Sequence, residues 1–126
     1  MACSLWAVAN YAIYLGKSLP DFDEAKRVGK CIAGSCLNVR AIIELFDVNL
    51  KEADDANEVL DRGGILNIWH PIVNGHSLLC LPRKGNEVYL INSWLGPVVQ
   101  TTNKETIYQF TSDYKNICLG NHWVVG

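Results

Sequence analysis

No stretch of the chain approaches the roughly 20 apolar residues that a helix needs to span a bilayer. The apolar opening, Met1 to Leu15, lacks the basic leading segment and small-residue cleavage site of a signal peptide. It therefore reads as a helix of the domain. Positive charge is not in excess: 11 Lys and Arg face 13 Asp and Glu, a formal net charge of −2. That balance makes nucleic acid an unexpected partner for the chain as a whole, while leaving room for a local patch. No CxxC pair occurs and the three histidines are dispersed, which argues against a zinc site; no metal or other cofactor is expected. There is no internal repeat, low-complexity tract or linker, so 126 residues read as one domain, 1–126. Nothing in these features assigns a compartment: a cytoplasmic protein and a delivered effector both fit.

What is present is a core-forming composition. Apolar residues make up 49% of the chain, which excludes a disordered polypeptide. The cysteine count, five, is odd, so at least one thiol is unpaired within the chain. A bridge between Cys31 and Cys36 stays open at this point. Cys80 and Cys118 fall in strand-like apolar runs and read as small buried hydrophobes.

Periodicity divides the chain into a helical half and a strand-rich half. Leu5, Trp6, Ala9, Ala12, Ile13 and Tyr14 recur near 3.6 residues and predict a helix from Cys3 to Gly16, where glycine stops it. A short helix over Phe22 to Val28 follows Pro20, with acids in its first turn. Gly29 to Gly34 reads as a loop. Ser35 is the expected N-cap of a third helix over Cys36 to Phe46, with Leu37, Ala41, Ile42, Leu45 and Phe46 inward. A brief strand at Asn49 to Glu52 precedes a short helix capped by Asp54 or Asp55 and ending at Gly63 and Gly64. Strands are then expected at Ile65 to Trp69, Val98 to Thr102, Ile117 to Leu119 and Trp123 to Val125. Asn103 caps a short helix or turn reaching Phe110, and Pro71 to Gly75 is a loop. Helices first and strands after predict an α+β fold with an antiparallel sheet.

The stretch from Gly75 to Trp94 reads as two apolar strands around a polar loop, Arg83-Lys84-Gly85, whose glycine suits a left-handed position. Symmetry about Lys84 would place His76 opposite Asn92, Leu78 opposite Leu90 and Cys80 opposite Val88. Opposed side chains in such a pair lie roughly 4.5–5.5 Å apart at Cβ. An imidazole and a carboxamide would then meet at one end of an apolar face. Cys3 is the candidate third member, because amides and the positive dipole end at a helix start favour a thiolate. In such a trio the histidine takes and returns the thiol's proton, and the asparagine oxygen orients the imidazole. The backbone N–H of Cys3 is an expected oxyanion donor. His70, in Trp69-His70-Pro71, is a rival base, since geometry decides between candidates. His122 reads as structural or at a cleft rim.

These segments resemble the papain-like cysteine peptidases. Cys3 to Lys17, with the cysteine first, small residues along it and Leu15-Gly16 at its end, is similar to the nucleophile helix of the branch that removes double-glycine leaders from bacteriocins. Gly34 to Val48 resembles the next long helix of that family. Gly75-His76 before an apolar strand resembles its histidine strand, and Tyr89 to Trp94 resembles the Asn-Ser-Trp motif of papain itself. The resemblance implies a helical half carrying the nucleophile, a sheet half carrying histidine and its orienter, and a cleft between them. It implies Cys3 as nucleophile, His76 as base and Asn92 as orienter. Trp94 would pack over the His/Asn pair and shield it from water; apart from the resemblance, His70 reads with Trp94 as a substrate-binding or supporting residue.

One departure concerns the oxyanion. The family has a glutamine several residues before the cysteine, whereas only Met1 and Ala2 precede Cys3 here. Gln100 and Gln109 lie far along the chain, and Asn10 sits two helical turns on. Three function classes follow. The first is a cysteine hydrolase acting on a peptide or protein amide through a thioester. The second is a toxin or effector domain of a longer bacterial protein, a deamidase, transglutaminase or RNA-cleaving enzyme, restrained by an immunity protein or inhibitor. The third is a peptide-binding module with little catalysis.

Overall fold

The computed structural model describes residues 3–32, 35–72, 74–92, 98–112 and 121–126. Helices α1 (Cys3–Tyr14), α2 (Phe22–Val28), α3 (Val39–Phe46), α4 (Ala56–Arg62) and α5 (Lys104–Tyr108) surround strands β1 (Cys31–Ile32), β2 (Ser35–Cys36), β3 (Leu50–Ala53), β4 (Gly64–His70), β5 (Asn74–Pro82), β6 (Glu87–Asn92), β7 (Val98–Asn103) and β8 (His122–Val125). Six of these strands pair in the order β3-β8-β4-β5-β6-β7, and every pairing among them is antiparallel. The α+β class with an antiparallel sheet is therefore observed. None of the described helices is long and apolar enough to cross a membrane.

The central strands are nearly continuous apolar runs because both faces of the sheet are covered. Side chains alternate across a strand. Ile65 of β4 and Leu79 and Leu81 of β5 join Leu5, Val8, Ile42 and Phe46 of α1 and α3 in one core. Leu66, Ile68, Leu78 and Cys80 join Val59 and Leu60 of α4 and Ile107 of α5 in the other. Helix α1 is embedded rather than laid on the surface. Ala7, Ala9 and Ala12 are buried beside Leu5, Val8 and Tyr11, and their small side chains let the helix approach the sheet closely. It ends as expected: Gly16 has φ +74°, and Lys17 N–H reaches back to the Ala12 carbonyl at 2.9 Å.

Local differences from the sequence reading have local causes. Helix α3 begins at Val39 with Asn38 as its cap, whose side chain accepts from Ala41 N–H. Ser35 does not cap it, because Ser35 and Cys36 are drawn into a two-stranded ribbon with Cys31 and Ile32, closed by a Cys31–Cys36 disulfide. Leu37 consequently faces solvent rather than the core. The expected loop at Pro71 to Gly75 is shorter, since Asn74 and Gly75 already pair with His70 and Trp69. Asp55, not Asp54, caps α4 by accepting from Asn57 N–H at 2.9 Å. Replacing Asp55 by alanine is expected to cost about 1 kcal/mol in a urea unfolding measurement. The expected strand at Ile117 to Leu119, and Cys118 within it, lie outside the described residues.

The hairpin differs in register. Strands β5 and β6 pair Leu79 with Ile91, Cys80 with Leu90, Leu81 with Tyr89 and Pro82 with Val88, so the centre is Gly85 rather than Lys84. The loop has a fourth residue, Asn86, and is tied down beyond the hairpin. Asn86 accepts from Lys104 N–H at 2.9 Å through its carbonyl, and its side chain donates to Glu105 at the start of α5. Gly85 does take the left-handed conformation, at φ +68°. A shift of two residues conserves the face on which every side chain lies.

Candidate functional site

Cys3 is the first residue of α1, where backbone amides have no partner within the helix and the dipole is positive. The thiol is half-buried, facing the start of β5. Its sulfur accepts from the Ser77 backbone N–H at 3.4 Å. Burial is the largest single influence on this thiol and opposes ionisation. The His76 hydrogen bond, the Ser77 amide, the charge of His76 and the Ser77 side chain together outweigh it, leaving the thiol pKa below its ordinary value.

His76 is buried, and its Nε2 lies 3.1 Å from Asn92 Oδ1. With Nε2 donating to the carboxamide oxygen, the bond to the thiol falls to Nδ1. The Asn92 contact thus selects the tautomer that presents Nδ1 to sulfur. The observed register makes this contact a diagonal one: extending the ladder puts Leu78 opposite Asn92, with His76 one pair further along the same face. Diagonal neighbours are roughly 7–8 Å apart at the backbone, within reach of an imidazole and a carboxamide. Among the described residues the β5–β6 ladder stops at Leu79 and Ile91, so the pair lies just past the end of that ladder, beside the α1 N-terminus. A cleft there is lined by Cys3, Trp6, Ala7, Asn10, His76, Ser77, Ile91 and Asn92.

Ser77 is held from behind by a buried polar cluster that the sequence reading did not identify. Its hydroxyl donates to Asn67 Oδ1, directly across the β4–β5 ladder. Asn67 N–H donates to Nδ1 of His122 at 3.0 Å, and its side-chain amide donates to the Asn121 carbonyl. His122 is fully buried and structural. No local pattern links positions 67, 77 and 122, so only the sheet topology reveals the group. The amide that meets sulfur is therefore carried by a strand position fixed on its other side.

The other candidates fall elsewhere. His70 does not line this cleft: its Nδ1 accepts from Ile72 N–H at 3.0 Å, and its ring packs against Phe110 at 5.5 Å. Trp94 lies outside the described residues. Asn10, set aside from its distance along the helix, does line the cleft, because positions i, i+3, i+4 and i+7 from Cys3 share one helix face. That periodicity was the available signal. Among the described residues no three His, Cys, Asp or Glu side chains group as they would around a metal ion.

Cys80 supplies an internal comparison. It is fully buried, and burial pushes its thiol up to about 12. Peptide-resolved alkylation of the folded protein is expected to leave Cys80 unmodified while Cys3 reacts, with Cys80 becoming reactive on unfolding.

Comparison with protein-family models, curated proteins and solved structures returned no match to this chain.

Proposed function

We propose that the chain is a cysteine-dependent hydrolase of papain-like type, with Cys3 as nucleophile, His76 as general base and acid, and Asn92 as the residue that orients the imidazole. The observation that carries this reading is the continuous set of contacts from Ser77 N–H to the Cys3 sulfur, from that thiol to His76, and from His76 Nε2 to Asn92 Oδ1.

The chemistry follows from those contacts. The Cys3 thiolate attacks the carbonyl carbon of an amide, forming an S–C bond and a tetrahedral oxyanion. The Cys3 backbone N–H, unpaired within the first turn of α1, donates to that oxyanion. His76, carrying the thiol's proton, delivers it to the departing nitrogen as the C–N bond breaks. A thioester remains on Cys3. Water then attacks the thioester, giving its proton to His76, and the acid product leaves as thiol and imidazole are restored. Asn92 keeps the ring aligned throughout by accepting from Nε2. A peptide or protein is the expected substrate class.

A small activated ester tests the reading without knowledge of the natural substrate. With p-nitrophenyl acetate, a burst of one nitrophenolate per chain is expected, with the acetyl group found on Cys3 by peptide mass and lost again on standing. Cys3→Ser should abolish the burst. Acetylation of Cys3 no faster in the wild type than in His76→Ala would overturn the proposal.

A further inference from the structure

The six-stranded sheet ends in β3 on one side and β7 on the other. Outer strands offer unpaired backbone groups to other chains, and proteins blunt them by shortness, charge or proline. Strand β3 is blunted in this way: it has four residues, and its exposed Lys51 and Glu52 carry charge. Strand β7, Val98-Val99-Gln100-Thr101-Thr102-Asn103, has six residues, with neither charge nor proline among them. Val99 is 55% exposed, and Gln100, Thr101 and Asn103 are exposed as well.

The ladder to β6 fixes which backbone groups face outward. Hydrogen-bonded and non-bonded pairs alternate along an antiparallel pair of strands. Lys104 N–H donates to the Asn86 carbonyl at 2.9 Å, one pair beyond Glu87 and Asn103. Val88–Thr102, Leu90–Gln100 and Asn92–Val98 are then the bonded pairs. The Arg83 N–H on the Glu87 carbonyl agrees, since it turns Glu87 toward β5. Val99 and Thr101 therefore direct N–H and C=O away from β6, and among the described residues nothing pairs with them there.

This open edge starts at the candidate site, because Val98 pairs with Asn92. At its other end Thr101 and Asn103, with Lys84 and Asn86, line an open polar groove of about 610 Å³. We propose that the edge is where the substrate docks: an extended segment of the polypeptide to be cut adds to β7 as a further strand, through the backbone of Val99 and Thr101. The inference rests on the reading of Cys3, His76 and Asn92 as a hydrolase site. Antiparallel pairing is the stronger kind, and every pairing among the described strands of this sheet is antiparallel. It sends the docked segment in the direction of β6, toward Asn92. From the added strand to β5, which carries His76, is three inter-strand steps of about 4.8 Å, or roughly 14 Å, a span of about four extended residues. The docked segment thus lies about four residues before the bond that is cut. Recognition comes from the backbone, so the substrates share an extended segment rather than one sequence.

The test compares two chloromethyl ketone peptides that alkylate Cys3, followed by peptide mass. One is acetyl-Thr-Val-Thr-Val-Ser-Ala-Ser-Ala chloromethyl ketone, whose first four residues favour a strand. In the other, those four amides are N-methylated, which removes their donors. In the wild type the first is expected to react roughly 10-fold faster than the second. Thr101→Pro removes one outward N–H and leaves the bonds to β6, and should reduce the ratio to about 3-fold or less. The wild-type comparison stands even should Thr101→Pro fail to fold. Equal rates for the two peptides, at a Cys3 that His76 activates, would overturn the docking edge alone. A dimer in sedimentation that Thr101→Pro splits would assign the edge to a second copy of the chain and overturn it too. Iodoacetamide reacting with Cys3 no faster in the wild type than in His76→Ala would overturn the hydrolase reading and this inference with it.

Discussion

His76→Ala is expected to slow alkylation of Cys3 by about 10–100-fold near pH 6, with the difference closing as pH rises toward the ordinary thiol range. The sign follows from the balance at sulfur. Burial opposes the thiolate; the His76 hydrogen bond offsets it most, followed by the Ser77 amide, the His76 charge (the one charge among the described residues that acts on this thiol) and the Ser77 side chain. Removing the imidazole leaves burial, the largest influence, opposed only by the Ser77 amide and side chain, so the thiol pKa should move upward. The thiolate fraction at mildly acidic pH then collapses. The rate falls by less than that fraction, because a more basic thiolate is also a better nucleophile. Measuring the second-order rate constant at several pH values separates this from a general loss of access, which would lower all points equally.

Gly64→Ala is expected to destabilise the fold by on the order of 4 kcal/mol or more, a fall in Tm of roughly 10 °C or beyond. Gly64 opens β4 at φ +147°, where an L side chain is already strained. An added Cβ would stand 2.0 Å from the Trp123 carbonyl oxygen and 2.9 Å from Val124 Cα. Both are backbone atoms of β8, so relief requires parting the ladder that joins Gly64 to Val124 and Ile65 to Trp123. That ladder also carries His122 and, through Asn67, the support behind Ser77. Gly85→Ala is the matched comparison: it too has positive φ, but nothing lies within 4 Å of the added Cβ. Its cost should be about 1 kcal/mol, from backbone conformation alone. Thermal or urea unfolding of the two variants gives the contrast. Equal costs would show that β8 does not pack on β4 as described.

The site was legible where chemistry and strand parity coincide. His76 and Asn92 were paired by assuming a hairpin centred on Lys84, and the centre is Gly85. The pairing survives because a two-residue shift preserves faces, whereas a one-residue shift would have sent both side chains to the other side. Cys3 was legible because a helix start is a local property. Asn10 was judged by its distance from Cys3 and not by the face it shares with it. The cluster of Asn67, Ser77 and His122 had no local trace, since it depends on β8 returning beside β4. The start of α3 was misplaced for a related reason: the Cys31–Cys36 ribbon takes residues that otherwise suit a helix cap.

The most direct measurement of the central claim is the pH profile of alkylation at Cys3 in the wild-type protein, resolved by peptide mass with Cys80 as the internal reference. The account predicts that Cys3 stays reactive well below the range of an ordinary thiol, about 8.5, while Cys80 stays silent until the protein unfolds. Reactivity at Cys3 that appears only in or above that ordinary range would contradict it.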